Sequence, residues 1–287
     1  MLRRVITGAV LILIIGTAIA LQGWPLRITL MLAMFLSMHE VYGAFEHRGD
    51  RPVKWVGYIY CVVAILSQGY YLKLHHAVFS QISPTLLSLV MCTLLGMVVI
   101  VLRGTPDFDS LAATVFPMLY PGIFYVLILP LQDLNGRLIS TVALVLTFFI
   151  ANVSDTFALF TGLRFGKHKL CPGISPKKTV EGAIGGLTAS VLFSVLVPIV
   201  AKWLCDVVPA FRGAQGDLPP LWCFALLGLV AGVLSQFGDL TASMIKRHCG
   251  IKDYGHILPG HGGIMDHMDG VLFCGAVCYV FFRLTGM

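Results

Sequence analysis

Charge is scarce in this sequence. Of its 287 residues, 12% are Asp, Glu, Lys or Arg and 57% are hydrophobic. A soluble domain carries about 25% charged residues, and a large buried core does not account for so deep a deficit. With a mean hydropathy of +0.86, the chain reads as an all-α polytopic membrane protein. Organised cysteine is also missing: the eight Cys are scattered and none falls in a Cys-x-x-Cys, so neither a zinc site nor a disulfide framework is suggested. Cys274 and Cys278, one helical turn apart in an apolar run, are expected to face lipid or another helix. No fixed-period repeat and no low-complexity tract occurs. The formal charge of +6 admits an anionic partner, but what matters is where the charges sit, and no nucleic acid is expected.

What the sequence has in abundance is long apolar runs. Nine candidate spans lie near 5–21, 28–45, 54–72, 82–102, 110–130, 138–162, 183–202, 221–245 and 264–284, each close to the ~20 residues that cross the hydrocarbon as a helix. The first, after Arg3 and Arg4, resembles a signal peptide, but it is long and no small-residue cleavage site follows, so it reads as a span. With the N-terminus in the cytoplasm, 14 of the 20 Lys and Arg fall on cytoplasmic segments and 6 on the other side. The positive-inside bias therefore predicts nine helices, N-terminus inside. The chain divides into an N-terminal set of helices over 1–137, expected to serve as scaffold, lipid access or dimer contact, and a catalytic region over 138–287. That region holds two cytoplasmic loops, 163–182 and 246–263.

The chemistry concentrates in the second region. Asp155 lies late in the sixth span, Asp239 in the inner half of the eighth, and Asp266 and Asp269 open the ninth. The stretch KDYGHILPGHGGIMDHMDG, residues 252–270, gathers three Asp, three His and five Gly directly before an apolar run. In the nine-span topology all four carboxylates fall toward the cytoplasmic face. An ionised Asp costs about 2.5–3.5 kcal/mol at a span centre, and Asp266 and Asp269, three residues apart, share a helix face. Carboxylate oxygens without thiolates favour a hard cation, Mg²⁺ above all, shared with a substrate phosphate. Gly262 and Gly263 let backbone approach a ligand, and Ser175, Lys177, Lys178 and Thr179 suit phosphate. The plainer alternatives are a structural helix–helix hydrogen bond for Asp155 and ordinary positive-inside residues for Lys177 and Lys178. Glu40, a carboxylate inside the second span, has no evident purpose in the sequence.

These residues resemble a known family. Ser243-x-x-Lys246-Arg247-x₄-Lys252-Asp253-x₅-Pro259-Gly260-His261-Gly262-Gly263-x-x-Asp266-x-x-Asp269 is similar to the signature of the phosphatidate cytidylyltransferases, or CDP-diglyceride synthases. So are Phe165 to Leu170, Ser175 to Gly182, and Ser235-Gln236-x-Gly238-Asp239-Leu240. The resemblance covers about 150–270 in motifs and the N-terminal half only in length and hydropathy. It implies Mg²⁺-dependent transfer of cytidylyl from CTP to phosphatidic acid, giving CDP-diacylglycerol and pyrophosphate, by a homodimer in the plasma membrane, bacterial by its short loops, with its site facing the cytoplasm. Asp239, Asp266 and Asp269 are then the metal ligands, with Asp155 a further candidate and a second, monovalent cation open. Lys177 and His261 join them in catalysis. Ser175, Lys178, Thr179, Gly262 and Gly263 handle phosphates, with Lys246, Arg247 and Lys252 at the mouth.

Two positions depart from the family pattern: His267 stands where Arg usually follows the first Asp, and Ala242 where a Glu is usual. Loss of both halves of an ion pair is gentler than loss of one. The competing readings are a CTP-dependent lipid kinase acting on polyprenol or phytol, which releases CDP, and an ion-coupled transporter, whose matched interrupted helices are not apparent.

Overall fold

The structure, a computed structural model, describes residues 2–71, 83–207, 218–258 and 262–286. Each apolar run forms a helix, because in hydrocarbon every backbone N–H and C=O must find its partner inside the segment. In order these are α1 (Leu2–Leu21), α2 (Gly23–Arg48), α3 (Lys54–Tyr71), α4 (Pro84–Leu102), α5 (Phe108–Pro117), α6 (Phe124–Ile128), α7 (Arg137–Phe165), α8 (Val180–Val207), α9 (Leu221–His248) and α10 (Met265–Leu284). A π turn joins α5 to α6 and a 3₁₀ turn follows, so 108–133 is one broken span. The break has a local cause: Pro117 and Pro121 each remove a donor, and Tyr120 leaves helical geometry at φ −134°, ψ 112°.

Among the described residues, seven helices are long and apolar enough to cross a membrane: α2, α4, the broken 108–133 segment, α7, α8, α9 and α10. Helices α1 and α3 occupy the other two expected positions, with Thr7–Leu21 a shorter apolar helix. The protein is a multi-pass, all-α membrane protein. The span windows of α4 and α8 are only 22% and 28% buried, so most of their apolar surface faces outward, as it does on lipid-facing helices.

The chain forms two compact units. The first takes Met1–Leu129 with Lys246–Asp266, and the second Pro130–Ile245 with His267–Met287. The sequence boundary at 137 is near the first break, whereas the segment from Lys246 to Asp266 groups with the N-terminal helices. In the first unit, Met34, Met38, Tyr42, Tyr60 and Tyr125 are fully buried. Two of these tyrosine hydroxyls find partners in the core, as buried hydroxyls usually do. Tyr42 donates to the Thr114 carbonyl at 3.0 Å, and the Tyr125 and Ser37 hydroxyls meet at 2.8 Å.

In the second unit, small residues let helices touch. A Cβ on Gly182 would lie 2.7 Å from the Ala158 carbonyl oxygen, and one on Gly186 2.6 Å from that of Ser154. This Gly-x-x-x-Gly spacing brings α8 directly onto α7. Gly238 does the same between α9 and α10, where a Cβ would stand 2.5 Å from the Asp269 carbonyl oxygen.

The loop 163–182 is more ordered than its sequence predicts. Strands β1 (Lys169–Cys171) and β2 (Ser175–Thr179) pair antiparallel, with Lys169 opposite Thr179 and Cys171 opposite Ser175.

Candidate active site

In the second unit the hairpin delivers lysine to a span carboxylate. Successive strand residues point to opposite faces, so Lys177 is exposed while Lys178 turns inward to pair with Asp239 at 2.5 Å. The pair is partly open, with side-chain exposures of 23% and 25%. The other oxygen of Asp239 accepts only a long hydrogen bond, 3.3 Å, from the Ser243 hydroxyl one turn along α9. Asp155, exposed on α7, lies within electrostatic reach of both Asp239 and Lys178. Asp269 is buried, and its Oδ1 accepts the Gly270 N–H at 2.7 Å. Ser175 is half-buried at the start of β2.

The hairpin is anchored where α8 begins. Glu181, in the first helical turn, accepts the backbone N–H groups of Lys167 at 3.1 Å and His168 at 3.2 Å, and its Oε1 meets His168 Nδ1 at 2.6 Å. Thr179 accepts the Gly182 N–H at 3.1 Å and so caps the helix. Glu181 was not singled out from the sequence. Its signal was an acidic residue in the first turn after Thr-Val, where a carboxylate complements the helix dipole. The hydroxyl oxygen of Thr179, predicted to serve phosphate, is engaged as a cap.

In the first unit Asp266 is enclosed. Its Oδ1 pairs with Lys246 at 2.6 Å, and its Oδ2 accepts the N–H groups of Tyr254 at 2.9 Å and Gly263 at 3.0 Å. Side-chain exposures are 11% for Lys246 and 9% for Asp266, and the ammonium stands 5.5 Å from the Tyr254 ring centroid. Gly262 has φ +89°, a conformation that only glycine adopts freely, and a Cβ there would meet Asp266 Oδ2 at 2.9 Å. The backbone room that Gly262 and Gly263 leave is thus filled by carboxylates of the protein itself. Arg247 donates to the Ile251 carbonyl at 3.1 Å, closing the end of α9, and Lys252 is exposed. His261 lies outside the described residues.

Glu40 also acquires a place: its two oxygens accept the N–H groups of Ile264, at 3.0 Å, and Met265, at 2.8 Å.

The donor set for a cation is carboxylate and hydroxyl oxygen, which suits Mg²⁺ and excludes soft-metal chemistry at these residues. Among the described residues no three His, Cys, Asp or Glu converge as a ready-made cage. Instead a lysine accompanies each of two aspartates, Lys178 on Asp239 and Lys246 on Asp266. Lys177 in the second unit and Lys252 in the first are exposed, and each is an ammonium of the kind that receives phosphate oxygens.

Comparison with known proteins gives the family. The model of the cytidylyltransferase family matches residues 2–285. The chloroplastic phosphatidate cytidylyltransferase 5 of Arabidopsis thaliana is 30% identical over 311 residues, spanning 99% of this chain and 72% of that protein. A phosphatidate cytidylyltransferase of Thermotoga maritima is 35% identical over 178 residues, 62% of this chain and 61% of its own length. One of Staphylococcus epidermidis reaches 43% identity over 126 residues, 44% of this chain and 43% of its own. The chain belongs to the cytidylyltransferase family.

Proposed function

We propose that this family member is a phosphatidate cytidylyltransferase: it joins CTP and phosphatidic acid into CDP-diacylglycerol and releases pyrophosphate, a step of phospholipid biosynthesis. The family match from residue 2 to 285 carries this reading, and the two lysine–carboxylate pairs supply its residue roles. The lipid phosphate is already an anionic nucleophile, so no strong base is required. Its oxygen attacks the α-phosphorus of CTP in line. One P–O bond forms, the bond to the β-phosphate oxygen breaks, and pyrophosphate leaves with the electron pair. The obstacles are repulsion between anions and charge growing on the leaving group, which fixed cations offset.

Lys178 is the ammonium best placed to move from a carboxylate to an incoming phosphate, because its pair is about one-quarter open and β2 holds its backbone. Lys177 and Lys252, both exposed, collect the nucleotide, and Ser175 and His261 orient phosphate oxygens. Asp239, Asp155 and Asp269 are the carboxylates of the second unit that would hold Mg²⁺, and Asp266 is a candidate ligand in the first. Bound there, the ion would neutralise phosphate charge and favour loss of pyrophosphate. A second, monovalent cation would find the same hard oxygens. We place the site at the cytoplasmic face of the plasma membrane, a bacterial inner membrane, where a water-soluble nucleotide meets a lipid phosphate. A homodimer is the proposed assembly.

Isotope placement tests the reaction. With CTP labelled at the α-phosphorus, the label is expected in the lipid product; with CTP labelled at the γ-phosphorus, it is expected in pyrophosphate. Lipid labelled from the γ position alone would make the protein a CTP-dependent lipid kinase and end this reading.

A further inference from the structure

Helix α10 starts badly by its own sequence. The first N–H groups of any helix lack intrahelical acceptors, and Ser, Thr, Asp or Asn usually supplies one from the position before the helix. Here that position is Ile264, preceded by Gly263 and followed by Met265, none with an oxygen to offer. The acceptors come from 224 and 225 residues earlier in the chain: Glu40 Oε1 takes the Ile264 N–H at 3.0 Å and Oε2 the Met265 N–H at 2.8 Å. Glu40 is 4% exposed in the middle of an apolar helix. A carboxylate survives there because the positive end of α10 and two aligned donors meet it.

The glycines complete the arrangement. A Cβ on Gly255 would lie 2.6 Å from Glu40 Oε1, and one on Gly263 would be closer still to both oxygens. Leu258 and Gly262 bridge in antiparallel fashion, with the Leu258 N–H on the Gly262 carbonyl at 3.0 Å. Asp266 then takes the Tyr254 and Gly263 N–H groups and the Lys246 ammonium. One carboxylate from α2 and one from α10 therefore hold the consecutive N–H groups of Gly263, Ile264 and Met265 between them.

We propose that Glu40 is a positioning residue for cytidylyl transfer: by capping α10 it fixes the glycine turn and the orientation of Asp266, without itself touching substrate. This role rests on the cytidylyltransferase reading above. It gives the N-terminal helices a direct part in the chemistry rather than a scaffold's part alone.

The test is Glu40→Gln in the purified full-length protein in detergent. The amide keeps one acceptor oxygen but turns an N–H against a backbone N–H. Hydrogen exchange, read without substrates, is expected to speed up at Ile264 and Met265. The kcat per titrated CTP-binding site is expected to fall about 10- to 100-fold, with little change in KM for CTP or phosphatidic acid. A role limited to stability lowers the number of CTP-binding sites and leaves kcat per site intact, which overturns the proposal; so does unchanged exchange at the two amides. If Glu40→Gln does not fold, Gly255→Ala presses directly on the same carboxylate and is judged by the same two readouts. A wild-type protein that releases no pyrophosphate sinks the reaction instead, while the exchange data still decide whether the cap exists.

Discussion

Two lysine–aspartate pairs with the same chemistry sit in opposite surroundings. Lys246 and Asp266 are almost closed to solvent, and Asp266 spends its remaining acceptor capacity on two backbone N–H groups. Lys178 and Asp239 are about one-quarter exposed, and Asp239 has only a 3.3 Å hydroxyl beside its lysine. The first pair resembles an organising joint, costly to disturb because a buried charge is stranded when its partner goes. The second, reached by solvent, is the pair proposed above to exchange its partner for a phosphate or a metal ion, at a lower cost than the enclosed pair because water screens it. The enclosed pair holds its own segment in place, and the more open pair leaves its charge within reach of solvent.

Separate substitutions probe each side of that contrast. Lys246→Met is expected to destabilise the protein by about 3–5 kcal/mol, seen as a lower thermal midpoint in detergent, with much of the loss restored by adding Asp266→Asn. If Lys246→Met alone is harmless, the joint is not structural. Asp239→Asn is expected to lower activity about 1,000-fold, the scale of a lost metal or charge contact, while the thermal midpoint hardly moves. A large drop in midpoint would erase the distinction between the pairs. Lys178→Met comes next, with activity down about 10- to 100-fold and stability changed by less than about 1 kcal/mol.

Ala242 is fully buried, so Ala242→Glu alone is expected to reduce activity, whereas Ala242→Glu with His267→Arg should recover part of it through a coupling of about 0.5–3 kcal/mol. Strict additivity in that cycle removes the idea of a coupled loss. The smallest effect belongs to the hairpin: Thr179→Ala should cost about 1 kcal/mol as a lost helix cap, and Thr179→Ser much less. Equal losses for Ala and Ser would mean that the hydroxyl is not the cap.

Most of the helices were readable because a membrane leaves the backbone one local solution, and long apolar runs announce it. The close approach of α8 to α7 depends on small residues: a Cβ on Gly186 would strike the Ser154 carbonyl. The hairpin at 169–179 was not legible, since its strands are three and five residues long, carry Lys and Pro, and lack an apolar alternation. Asp239, Lys178, Asp266 and Lys246 were recognisable as residue types that handle phosphate or metal, but which lysine accompanies which aspartate depends on tertiary placement. Glu40 shows the limit most sharply. A lone carboxylate in a span signals that donors must exist somewhere, yet they lie more than two hundred residues away, and no local pattern names them.

The most direct measurement is pyrophosphate release by the purified protein in detergent, with CTP and phosphatidic acid together and singly, across a Mg²⁺ titration, for wild type and Asp239→Asn. The expected result is release that needs both substrates, rises with Mg²⁺, and is nearly abolished in Asp239→Asn at unchanged thermal stability. Release from CTP alone, or undiminished release in Asp239→Asn, would contradict a cytidylyl transfer operated through the more open carboxylate, Asp239.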